Sequence, residues 1–183
     1  TRMKKAFVVV AMLAFAAAAH AQFTVELDLN GVQGDGPDFI NAVVSDYITG
    51  DLWVYGPEGM FSFGVILCNY DGSLEFQGFE YITPDGWTET APSVGPDGCV
   101  TLQATDFNFA NCMALPAMIG TVTFHAAVDE SIDDITFGDC GYFTCSFLSG
   151  VMDNSGTLAG TVQIGTIVST EESSWGAVKG LFR

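Results

Sequence analysis

Apolar and polar residues alternate with a period of two along most of the chain, the spacing of half-buried β-strands. Phe23, Val25, Leu27 and Leu29 share one face of a first predicted strand. A second begins near Tyr47 and carries Leu52 and Val54. The third sets Phe61, Phe63, Val65 and Leu67 against Ser62, Gly64, Ile66 and Cys68. A fourth runs from Leu74 and Phe76 to Tyr81 and Ile82, and a fifth carries Val100, Leu102 and Ala104. The sixth, with Val122, Phe124, Ala126 and Val128, alternates most cleanly. Ile135–Phe137, Phe143–Cys145–Phe147 and Val162–Ile164 supply three more. Turn chemistry separates them at Gly56-Pro57, Asp71-Gly72, Pro84-Asp85-Gly86, Pro96-Asp97-Gly98, Gly138-Asp139 and Asn154-Ser155-Gly156. No stretch of 22–168 sustains a helical period. The pattern predicts an all-β domain over 22–168, an antiparallel β-sandwich or barrel of about nine strands.

Both ends break the pattern. Met3 reads as an initiator, Lys4 and Lys5 as a positive n-region, and Ala6–Ala19 as an apolar run. Ala19-His20-Ala21 fits a signal-peptidase site, so residues 1–21 are expected to be a secretory signal helix and the product secreted or held at the cell surface. After cleavage no apolar run reaches the roughly 20 residues of a membrane span. From 169 a polar linker leads to Ser174–Arg183, where Trp175, Val178 and Phe182 fall at i, i+3 and i+7, one face of a short helix. This tail is similar to C-terminal tails of some secreted bacterial proteins. It reads as an attachment tail, or as a terminus that docks Trp175 on its own domain.

Charge narrows the function classes. Of 183 residues, 22 are Asp or Glu and only five are Lys or Arg. None of those five lies between Gln22 and Glu172. Such a body repels phosphate backbones, which excludes nucleic acid as a partner. It also offers no arginine to grip an anionic substrate.

Catalytic patterns are weak. His125 would be the only histidine after signal cleavage; it alternates with Val122, Phe124 and Ala126 and is expected at the surface. No G-x-S-x-G motif accompanies it, so a serine triad is not supported. Asp129-Glu130 and Asp133-Asp134 read as solvated loop acids rather than a glycosidase pair. The chain is read as a non-enzyme.

Three other groups bear on binding. Asp28, Asn30, Asp35 and Asp38 lie among glycines and offer oxygen donors suited to calcium. Val32 breaks the EF-hand ligand spacing, so the competing reading is an acid-rich turn. Trp53, Trp87, Phe107 and Phe109 are candidate stacking surfaces for sugar rings, Trp87 because it sits in a turn, and Phe107 with Phe109 because they share a face of a predicted strand. The alternative for each is ordinary core. Five cysteines suit an oxidising compartment. Cys68 with Cys99, and Cys140 with Cys145, are candidate disulfides, which leaves Cys112 over.

Residues 51–82 resemble the early strands of cohesin domains. Tyr70-Asp71 matches that family's turn, and Leu74-Glu75-Phe76 with Phe79 its following strand. Ile119-Gly120-Thr121-Val122-Thr123-Phe124 is similar to a later cohesin strand ending in Thr-Phe. The resemblance implies a nine-stranded jelly roll without catalysis that holds a protein partner through one sheet face. A polysaccharide ligand bound on exposed aromatics, or a structural subunit of an extracellular matrix or envelope layer, is the alternative.

Overall fold

Strand formation follows the alternation. The computed structural model describes residues 22–69, 72–129 and 131–165, and its regular elements are all strands. In chain order they are β1 (Thr24–Asp28), β2 (Asp38–Ala42), β3 (Tyr47–Tyr55), β4 (Met60–Cys68), β5 (Leu74–Tyr81) and β6 (Thr88–Val94). Then come β7 (Cys99–Thr105), β8 (Ala117–Ala126), β9 (Ser131–Phe137), β10 (Cys140–Thr144), β11 (Ser149–Met152) and β12 (Leu158–Ile164). The nine expected strands are present, although the one drawn through Phe143, Cys145 and Phe147 ends at Thr144 and gives way to a turn, and β2, β6 and β11 raise the number among the described residues to twelve. The expected signal helix, Tyr70-Asp71 and the tail with Trp175 lie outside those residues.

Two sheets face each other. One is four-stranded, in the order β1-β3-β8-β5. In the other, β4 is flanked by β7 and β6 on one edge and shares its other edge between β10 and β9. β10 pairs with β11 and β9 with β12, so β9–β12 form one long hairpin with both arms interrupted midway. One pairing corrects the antiparallel expectation. β2 runs parallel to β12, with Gly160 opposite Asp38 and Ile164 opposite Ala42.

The core lies between the sheets. Leu27, Leu52, Val54, Val65, Leu102 and Ile135 are fully enclosed there. Their neighbours in sequence point outward, and the two outer faces differ in chemistry. On the four-stranded sheet Glu26, Asp51, Glu75 and Glu80 carry charge outward, and His125 faces Glu75 at 3.4 Å. On the other sheet β4, β7, β10 and β11 contain no charged residue. Gly64 sits opposite Gly141 and Ser62 opposite Phe143, so small residues line the middle of an uncharged shelf.

Two acids depart from the loop reading. Asp133 and Asp134 are in β9, and Asp133 points inward. Its Oδ2 accepts the Ser131 hydroxyl at 2.7 Å, and its Oδ1 meets no donor among the described residues.

Candidate functional site

At one end of the uncharged shelf four phenylalanines meet. A bulge in the β4–β10 pairing, where Phe143 faces Ser62 but Thr144 faces Met60, takes Phe61 out of step with the strand. Met60 and Phe63 belong to the central core while the Phe61 ring meets Phe109 at 5.5 Å and Phe147 at 6.0 Å. Phe109 lies 5.6 Å from both Phe143 and Phe147, and Phe143 lies 6.0 Å from Phe147. These tilted and edge-on spacings suit aromatic pairs. Phe61 is buried beneath the others, whereas Phe109 is 45% and Phe147 62% exposed. Phe107 at 70% and Leu148 at 62% extend the apolar surface from the same two loops.

Both loops hold a phenylalanine in the left-handed backbone region. Phe109 has φ of 53° and Phe147 of 62°. For a bulky residue that conformation costs about 1–2 kcal/mol and persists only where surrounding contacts enforce it. Those contacts are present. Asp106, buried, accepts the N–H groups of Asn108 at 2.9 Å, Ala110 at 2.8 Å and Asn111 at 2.6 Å. The Asn111 bond leads the effects that hold its carboxyl below the ordinary range. Asn111 in turn binds the Asp85 carbonyl through its amide, and its own carbonyl accepts the Trp87 indole N–H at 2.8 Å. Met113 pairs with Met60 through backbone bonds.

The disulfide Cys112–Cys145 then ties the 106–116 loop to the hairpin turn bearing Phe147. Gly59 is required beside it, since a Cβ there would stand 2.5 Å from the Cys112 sulfur and 2.6 Å from the Met113 carbonyl. Ser146, next to Phe147, donates its hydroxyl to Glu58, which puts one carboxylate at the margin of the cluster.

This pairing corrects one disulfide expectation. Cys68–Cys99 forms as expected, joining β4 to β7 where the two residues face each other. Cys140 does not join Cys145. It opens β10 with its side chain in the core, donates to the Gly138 carbonyl at 3.4 Å, and remains a free, buried thiol. Burial pushes that thiol's pKa up.

The four aromatic candidates do not form one row. Trp53 lies on β3 of the opposite sheet, facing outward between Glu26 and Met118. Trp87 is half-buried, packs against the core 6.1 Å from the Phe63 ring, and braces the 106–116 loop. Phe107 and Phe109 stay together, although in an Asp106-capped turn rather than a strand. Phe61, Phe143, Phe147 and Leu148 are further members of the cluster that alternation alone does not single out.

The acidic loop is gathered but internally bonded. Asp28 Oδ1 accepts the N–H groups of Asn30, Gly31 and Val32. Asp38 accepts those of Leu29 and Asn30, and the Asn30 amide reaches both Asp35 and Asp38. Burial nevertheless pushes the Asp38 carboxyl above its ordinary range. These contacts make the four residues a turn scaffold that joins β1 to β2. No cluster of three or more metal-ligating side chains occurs among the described residues.

Comparison with known proteins places the fold. No protein-family model and no curated protein matches the chain. Solved structures do. A cohesin module from a Clostridium perfringens family 33 glycoside hydrolase superposes with a TM-score of 0.60 at 9% identity, covering 79% of this chain and 98% of that one. A type I cohesin of Clostridium thermocellum, solved in complex with a dockerin, gives 0.59 at 13% identity over 80% and 96% of the two chains. A non-cellulosomal cohesin of the archaeon Archaeoglobus fulgidus gives 0.57 at 14% over 85% and 98%. The fold is that of cohesin modules, as the strand pattern of 51–82 implies.

Proposed function

We propose that this chain is a recognition module, without catalysis, that holds a protein partner on the outer face of its larger sheet. The observation that carries the reading is the exposed aromatic cluster of Phe109, Phe143 and Phe147 over Phe61. In a chain of formal charge −17 it stands beside four strands free of charged residues. Contiguous apolar surface in a highly charged protein marks an interaction site. Aromatic anchors over an uncharged shelf have the make-up of an interface core. The Clostridium thermocellum neighbour is solved with a dockerin on it, which supports a protein as partner. Two disulfides support action outside the cytoplasm, the destination expected from the signal at 1–21.

The test is capture from the source culture's secreted fraction by the wild-type chain, Phe147→Ser and Glu80→Gln. Glu80 lies on the opposite sheet face. A discrete protein held in a defined ratio by wild type and Glu80→Gln, and lost with Phe147→Ser, supports the reading. Capture that survives Phe147→Ser removes it. Retention on insoluble polysaccharide that depends on Phe107 would instead favour the sugar alternative.

A further inference from the structure

We propose that the aromatic cluster of one copy receives the C-terminal segment Ser174–Arg183 of a second copy, joining modules head to tail. This rests on the reading of the cluster as a recognition face and names the occupant of that face.

Chemistry is the first argument. The cluster needs apolar anchors, and the acidic body around it favours a positively charged ligand. Ser174–Arg183 offers both. Trp175, Val178 and Phe182 fall at i, i+3 and i+7 in the sequence, while Lys179 and Arg183 are the only Lys or Arg after Lys5. Glu58, held at the cluster margin by Ser146, and the open faces of Phe109 and Phe147 are counterparts for those cations.

Reach is the second argument, and it selects a second copy over the same chain. Gly165, the last described residue, lies beside Ala42, next to the Ile164–Ser131 pair. From Ser131 the β9–β10 arm runs along the sheet to Phe143, about 11 ladder steps when the break between β9 and β10 is measured against β4, or roughly 36 Å at the usual rise per strand residue. The ten residues from 166 to Trp175 span at most about 33–36 Å when fully taut. The segment would reach its own cluster only when fully taut, a state in which the effective concentration of a tethered ligand is near zero. A neighbouring molecule has no such limit. Because tail and face are different surfaces, the contact is heterologous, and its repetition gives open chains or closed rings, a reciprocal exchange between two copies included.

Sedimentation velocity of the full chain tests this between roughly 10 and 500 μM, the range where so small a contact associates. Wild type is expected to grow in size with concentration. Phe147→Ser, lacking the face, and Trp175→Ala, lacking the anchor, are each expected to stay monomeric at unchanged melting temperature. Mixed in equal amounts they should form a dimer and stop, since one supplies only a tail and the other only a face. A labelled peptide of residues 173–183 should bind the Trp175→Ala chain and not the Phe147→Ser chain. Self-association by Phe147→Ser alone overturns the proposal, and so does a mixture that stays monomeric. If the mixture stays monomeric while Phe147→Ser still loses a secreted partner, the head-to-tail proposal falls and the recognition reading stands. If Phe147→Ser loses neither, both fall.

Discussion

The side-chain amide of Asn154 pairs with both backbone groups of Val25, 129 residues away. The Val25 N–H donates to Asn154 Oδ1 at 2.6 Å, and Asn154 Nδ2 donates to the Val25 carbonyl at 2.6 Å. One residue of the larger sheet's broken hairpin thus acts as a missing strand partner for edge strand β1. The Asp153 N–H continues the arrangement onto the Phe23 carbonyl at 3.0 Å. An unpaired sheet edge invites pairing with another chain, and this contact closes it. It also ties the two sheets together, since Val25 lies in β1 of the smaller sheet and Asn154 between β11 and β12 of the larger.

Asn154→Ala leaves a half-buried N–H and C=O without partners, so a loss of about 1–3 kcal/mol is expected. Asn154→Asp should cost more at neutral pH, because it sets a carboxylate oxygen against the Val25 carbonyl. That excess should shrink as pH falls toward about 4, where the new acid protonates and regains a donor. Thermal melts of both variants at pH 7 and pH 4 check this. Equal melting temperatures for wild type and Asn154→Ala would show that the contact does not hold the edge.

Much of this architecture is legible in the sequence. β3, β4, β7 and β8 announce themselves through strict alternation, because each has one face in the core and one in solvent. β2, β6 and β11 do not. In β2 Phe39 turns outward, β6 is nearly all polar with Pro92 inside it, and β11 is only Ser149–Met152. These strands add backbone bonds more than apolar burial, and a pattern built on burial passes over them. The site is legible in its parts only. Phe107–Phe109 looks like a strand by alternation, yet the Asp106 carboxylate gathers the N–H groups of Asn108, Ala110 and Asn111 into a turn. That Phe61 turns outward depends on a bulge that only the β4–β10 register reveals.

The turn under Phe109 is tied to the ionisation of Asp106. Its folded-state pKa is lowered, first by the Asn111 N–H. A lowered carboxyl contributes stability that is present above its ordinary pKa and is lost as pH falls through the folded value. The turn should therefore be steady from neutral pH to the ordinary carboxylate range and loosen only below it. Amide exchange of Asn108, Ala110 and Asn111 against pH reads this directly. Asp106→Ala should expose those amides at every pH and weaken partner capture by disturbing Phe109. Protection unchanged in Asp106→Ala would place the turn's order elsewhere.

Phe147 sets stability against recognition. Its ring is mostly exposed while its backbone sits at φ of 62°, a region that glycine enters without penalty. Phe147→Gly removes the strain together with the ring's contacts to Phe61, Phe109 and Phe143. Relief of about 1–2 kcal/mol of backbone strain is offset by the roughly 0.5–1 kcal/mol of entropy that glycine adds to the unfolded chain, so the melting temperature is expected to stay within a few degrees of wild type. Partner capture should be lost in the same variant. A marked fall in melting temperature would mean that the ring supports the fold rather than presenting a surface.

The cysteine arrangement can be separated from its rival by thiol counting. With Cys112–Cys145 joined and Cys140 buried, the native chain should take up no alkylating agent at neutral pH. Burial blocks access, and the raised pKa leaves little thiolate to react. Denatured without reductant, the chain should label once, and peptide mapping should find the label on Cys140. Pairing of Cys140 with Cys145 would instead put it on Cys112. The two bonds differ in consequence. A Cys140–Cys145 link would close a loop of only a few residues and leave the 106–116 loop untethered. Cys112–Cys145 joins positions 33 apart and locks together the two segments bearing Phe109 and Phe147. Closing a loop of that length is worth roughly 3–4 kcal/mol. Cys112→Ser should cost about that much and scatter the aromatic cluster, so stability and capture fall together. Cys140→Ala should keep capture intact and pay only for a small cavity. Capture that survives Cys112→Ser would show that the disulfide serves the fold alone.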